Sequence, residues 1–166
     1  YMMKKALMEE LPIQGAIREI EQYMNNGKLE TDSEILLAES NVVETSKRLA
    51  LFLLNEGICE FGQDLKHQQQ IADILANIFI DIYVAESTVL RAKKMLGNPT
   101  SPPSVETVAK IFVAEMAQRM VQLAETALKG IYNGDLSPLI HENLNAFRSR
   151  MYLPTNTIGL KREIAA

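Results

Sequence analysis

The sequence predicts an all-α fold, an up-and-down helical bundle of about four main helices with shorter flanking ones. Apolar residues recur at spacings of three and four through most of the 166 residues, the pattern of helices that each turn one stripe toward a core. Glycines, prolines and capping residues fall between the periodic stretches, where helices stop and start. The turn between two of the longest stretches, around Gly62, is short enough to pack those helices antiparallel.

Residues 1–30 read as N-terminal docking helices or linker, and 31–166 as the bundle. Tyr1 to Leu11 has the character of the middle of a helix, with Met2, Met3, Leu7 and Met8 apolar and no cap. The native chain is therefore expected to extend N-terminally. Pro12 suits the first turn of a short helix with a face of Ile13, Ala16, Ile17, Ile20 and Met24, which Gly27 ends. The mixed charges of the Met-rich opening, Lys4, Lys5, Glu9 and Glu10, favour docking on its own fold over a membrane surface or a partner. Thr31 and Glu34 have capping-box spacing, so a long helix is expected to start there, carry Val42, Val43, Leu49, Leu53, Leu54 and Ile58 inward, and end at Gly62.

Gln63 or Asp64 is expected to open the central helix, whose heart is Ile71 to Met95. Ile71, Ile74, Leu75, Ile78, Ile82, Ala85 and Val89 form its main stripe, and Ala72, Phe79, Tyr83 and Leu90 a second row that implies burial on most sides. The rest of the chain is expected to pack around this helix. Gly97 to Ser104 is a proline-rich loop. Val105 to Ile131 follows as a long helix with Val108, Ala109, Phe112, Met116, Met120 and Ala124 on one side, closed by Gly130 and Gly134. Ser137 and Pro138 are the cap and first turn of a shorter helix bearing Leu139, Ile140, Leu144, Phe147 and Met151, which Pro154 ends. Ile158, Leu160 and Ile164 in the tail favour docking.

The hydrophobic content of 47% with 23% charge is that of a globular protein, long enough to bury roughly two-thirds of its unfolded surface. A formal net charge of −4 argues against a nucleic-acid surface. Cys59 is the only cysteine, so no internal disulfide can form, and the chain fits a reducing compartment. No signal-peptide succession or membrane-length apolar run is present in the sequence given, and a cytoplasmic location is expected.

Few residues invite chemistry. Asp64 and His67 have the spacing of half a carboxylate–histidine metal motif, and His141 with Glu142 supplies the only other histidine. A di-iron bundle needs the motif on two helices plus two inward glutamates, and the polar run 66–70 makes a solvated helix start the simpler reading. Asp73, Asn77 and Asp81 form a row at spacing four that could do acid–base work; a water-facing edge explains it more cheaply. Cys59 lies beside Glu56 and Glu60, the opposite of the positive environment a nucleophilic thiolate needs, and is expected to be a packing thiol. There is no phosphate-cradling glycine loop, paired CxxC or GxSxG elbow. No catalytic, cofactor-binding or metal residue is assigned.

The segment Ala109 to Ala124, AKIFVAEMAQRMVQLA, resembles the acyl-CoA dehydrogenase helix that typically reads AK-x-F-x-x-E-x-A-x-R-V. Ala109, Lys110, Phe112, Glu115, Ala117, Arg119 and Val121 stand at the corresponding places. Ile71-Ala72-Asp73, Tyr83, Ala85, Glu86, Arg91 and Ala92 look like the preceding helix of the same C-terminal bundle, especially that of the extra C-terminal region of very-long-chain dehydrogenases and their bacterial relatives. KKALMEELP at Lys4 to Pro12 resembles the sequence that follows the catalytic domain there. A catalytic bundle of the family would carry a glycine-rich turn and later an acidic-Gly-Thr-Asn segment, where flavin contacts and, in many members, the catalytic base reside. Here those places read KGIYNGD and LPTNTIGL, with Leu153 and Pro154 in place of the acidic-Gly pair while Thr155, Asn156 and Ile158 survive.

The resemblance implies an appended, non-catalytic copy of the bundle. Its parent would oxidise fatty acyl-CoA in fatty-acid β-oxidation with FAD, and the segment itself would bind no cofactor. Its partners would be its own catalytic domain and a second copy in a homodimer, with weak membrane-surface contact as a further role. A free-standing helical interaction module with no enzymatic parent is the alternative.

Overall fold

The computed structural model of the protein describes residues 35–102 and 104–165, and these contain five α-helices and no strand. They are α1, Leu37–Phe61; α2, Gln69–Leu96; α3, Ser104–Ile131; α4, Pro138–Arg150; and α5, Thr157–Ala165, with a 3-10 turn at Gly62–His67 between α1 and α2. The proposed docking segment 1–30 and the Thr31–Glu34 capping signal lie outside the described residues.

Three side-chain pairs fix the directions of the long helices. Lys47 of α1 meets Glu86 of α2 at 2.6 Å, and Arg119 of α3 meets Asp81 of α2 at 2.8 Å. Each pairs the middle of one helix with the middle of the next. Glu56 and Tyr132, near the C-terminal ends of α1 and α3, touch at 2.5 Å, so those two helices run parallel and pack on each other, with α2 antiparallel against both. Short links and amphipathic stripes lead to this arrangement because each helix must turn its apolar side toward the previous one.

The hub is α3 rather than α2, which corrects the expectation from sequence. α3 packs against every other helix. It can do so because it is apolar on two faces: Ile111, Val113, Ala114, Ala117 and Leu128 are buried as well as Ala109, Met116, Met120 and Ala124. Its small alanines let neighbouring backbones approach closely. Leu49, Leu53, Leu75, Ile78, Phe147 and Met151 complete the centre of the core.

α2 keeps Ile71, Leu75, Ile78, Ile82, Ala85 and Val89 inside, as its main stripe predicts, but its second row does not follow. Tyr83 is 72% and Leu90 60% exposed, while Phe79 and Ala72 are half-buried. With neighbours on one side only, a helix buries one stripe, and the wider apolar surface is left outward. Val108 and Leu139 are exposed for the same reason.

Helix boundaries depart from sequence in two places. α1 starts at Leu37, after Leu36 adopts a left-handed conformation (φ 53°) and is bonded by the Ser40 backbone N–H and hydroxyl. α2 starts at Gln69 because the chain leaves Gly62 (φ 49°) as a 3-10 turn that drives Leu65 into the core. Gly57 accommodates Leu65: a Cβ there would stand 3.1 Å from a Leu65 methyl. The Ser137 cap and Pro138 first turn of α4 are as predicted, with the Ser137 hydroxyl accepting from the Ile140 N–H at 3.3 Å. The tail docks on α3 through α5, without burying any α5 residue fully. No helix among the described residues is long and apolar enough to cross a membrane.

Candidate functional site

The residues singled out for chemistry do not converge. Asp64 and His67 are exposed on the 3-10 turn, His141 and Glu142 are exposed on α4, and no group of three potential metal-ligating side chains occurs among the described residues. Cys59 is exposed, not packed, with its Sγ 3.7 Å from Asn55 Oδ1.

The row Asp73, Asn77 and Asp81 divides. Asn77 donates to Asp73 at 3.3 Å on the open side. Asp81, expected to face water, instead accepts two hydrogen bonds from the Arg119 guanidinium, both at 2.8 Å. Arg119 is one of the motif residues of α3, and its fellows behave alike. Lys110 pairs with Glu106 at 2.5 Å, Glu115 pairs with Lys161 of α5, and Ala109 and Ala117 are buried. The motif thus encodes close approach by its alanines and inter-helix pairing by Glu115 and Arg119, while Lys110 pairs within α3 itself. Sequence reading placed these residues without their partners, because a partner 38 residues away leaves no local signal.

One polar contact went unnoticed in the sequence. The Tyr132 hydroxyl donates to Glu56 Oε2 at 2.5 Å, joining α3 to α1. Partial burial raises the Tyr132 phenol well above its ordinary value of 10.0, and the hydrogen bond to Glu56 and the nearby carboxylate charge raise it further. A raised folded-state pKa means a contribution to stability that is complete below pH 10 and is lost as pH rises beyond it, since the unfolded phenol gives up its proton first. Tyr132→Phe is expected to cost about 1–2 kcal/mol at neutral pH and to flatten the fall in stability above pH 10, measured by urea unfolding across pH. An alkaline fall as steep in the variant as in the parent would show that Tyr132 is not its source.

The segment that would carry flavin contacts in a catalytic bundle does something else here. Asn156 caps α5, its Oδ1 accepting from the Gly159 N–H at 3.0 Å. Leu153 packs against the core and Pro154 has no N–H to offer. At the earlier turn, Asn133 and Gly134 adopt positive φ (51° and 85°) to end α3. These residues do not fit a flavin: the Asn156 side-chain oxygen is committed to the start of α5, and the acidic and glycine positions are filled by an aliphatic side chain and a proline.

What remains is surface. The outer side of α2 presents Ile80, Tyr83, Val84 and Leu90, exposed by 59, 72, 39 and 60%, beside an open groove bounded by Ser87, Arg91, Lys94 and the 98–102 loop. Such a row suits recognition of another surface rather than catalysis.

A family model described as "Acyl-CoA dehydrogenase, C-terminal domain" matches residues 45–144. The "Probable acyl-CoA dehydrogenase" of Bacillus subtilis (strain 168) is 30% identical over 168 residues, covering 99% of this chain and 28% of that protein. The crystal structure of acyl-CoA dehydrogenase complexed with FAD from Bacillus anthracis superposes with a TM-score of 0.82 at 23% identity, over 99% of this chain and 28% of that one. At that identity the likeness concerns the fold. The chain spans 28% of the length of each of these two relatives.

Proposed function

Because the chain belongs to the acyl-CoA dehydrogenase C-terminal domain family, matched over residues 45–144, we propose that it is the accessory C-terminal domain of a larger FAD-dependent acyl-CoA dehydrogenase. The observation that carries this reading is the match of 99% of the chain to 28% of a probable acyl-CoA dehydrogenase. The parent protein supplies the flavin and oxidises fatty acyl-CoA in β-oxidation, in the cytoplasm. This domain, residues 31–166 with 1–30 as docking helices or linker, supplies helices and surface: it covers the catalytic part and helps subunits associate. The commitment of Asn156 to a helix cap and the aliphatic Leu153 support an accessory role rather than a catalytic one.

An antibody raised against this chain tests the proposal in extracts of the source cells. The account expects a polypeptide several times the 18.6 kDa of this chain. A native species of 18.6 kDa would instead favour a free-standing helical interaction module, for which the outer row of α2 would be the binding surface.

A further inference from the structure

The outer face of α2 carries acid at one end, base at the other and apolar residues between. Asp73 stands near its N-terminal end, Arg91 and Lys94 near its C-terminal end, and Ile80, Tyr83 and Val84 lie between them at spacings of three and four. Neither Arg91 nor Lys94 has an ion-pair partner among the described residues. The other acidic residues on the helix flanks are already engaged, Asp81 by Arg119 and Glu86 by Lys47. A helix laid antiparallel on this face would need the reverse order of charges, and a second α2 related by a two-fold axis offers it. With the axis at Tyr83 and Val84, Asp73 of one copy faces Lys94 of the other, twice, and Ile80 faces the small Ser87. Two-fold contacts of this kind use the same patch on both copies and close on themselves.

We infer that the outer face of α2 is a self-complementary docking surface, and that its occupant is α2 of a second copy of this chain, antiparallel about a two-fold axis near Tyr83 and Val84. A membrane suits the face less well, because Asp73 and a net charge of −4 oppose approach to anionic lipid. The inference deepens the association role proposed above and rests on that reading for its place in the parent enzyme.

Sedimentation velocity on the 166-residue chain over a wide concentration range tests it. A monomer–dimer equilibrium in the micromolar range is expected, since a single pair of helices buries less than the roughly 1,200 Å² of a standard stable interface. Tyr83→Glu, at the axis, should weaken the dimer by about a hundred-fold or more. Lys94→Glu should weaken it by about ten-fold, by setting like charges face to face, and adding Asp73→Lys should restore it. All three positions are exposed, so circular dichroism should show helicity unchanged. A monomer at every concentration, a dimer indifferent to Tyr83→Glu, or a charge swap that fails to rescue would each overturn the inference. If the chain is monomeric while the native species is a large flavoprotein, this inference fails and the accessory-domain reading stands; a rescued dimer from an 18.6 kDa native protein would separate them the other way.

Discussion

Ile78→Asp is expected to abolish the native fold. Ile78 is 0% exposed in the middle of α2, on the stripe that meets α1 and α3. The substitution removes an aliphatic side chain whose burial contributes roughly 1.5–3 kcal/mol and places a carboxylate where no cation can reach it, a cost of several kcal/mol more. Domains of this size are stable by roughly 5–15 kcal/mol, so the sum consumes most or all of the margin. Circular dichroism should show a lost or non-cooperative thermal transition. Asp81→Ala, three residues on, is the control. It breaks the two-pronged contact with an Arg119 side chain that is 49% exposed, worth only about 0.5–1 kcal/mol once solvent screening is counted, a shift of a few degrees. An unchanged midpoint in Ile78→Asp would mean that the inward face of α2 has been misplaced.

The contrast between those two residues also shows what the sequence could reveal. Periodicity located α2, α3 and α4 and most of the inward stripe of each, Val108 and Leu139 excepted, because spacing and burial are linked by helix geometry. The Ser137–Pro138 start of α4 was legible since its cap is built from neighbouring residues. Local rules could not show which helix lies at the centre, because that depends on how many neighbours a helix has. α3 looked like a one-sided stripe until Ile111, Val113 and Ala114 were seen to be buried as well. The same limit explains the second row of α2: Tyr83 and Leu90 are apolar and periodic, yet this chain has nothing among its described residues to cover them. Partners such as Arg119 for Asp81, or Glu56 for Tyr132, 76 positions apart, were beyond reach for want of any local trace. The family motif on α3 was readable as a pattern, whereas the inter-helix ties made by its Glu115 and Arg119 needed the structure.

If the chemistry resides outside these helices, flavin should follow the parent protein and not this chain. The motivation is local: Leu153 and Pro154 offer neither a carboxylate nor a glycine backbone, and Asn156 spends its side-chain oxygen on the Gly159 N–H. The most direct measurement compares the flavin content of two preparations, the native species captured from source cells with an antibody to this chain, and the recombinant 166-residue chain incubated with FAD and desalted. The account predicts that the native species is yellow, holds FAD near one per polypeptide and bleaches on addition of a fatty acyl-CoA, while the recombinant chain emerges colourless. A colourless native species, or a recombinant chain that retains stoichiometric FAD, would contradict it.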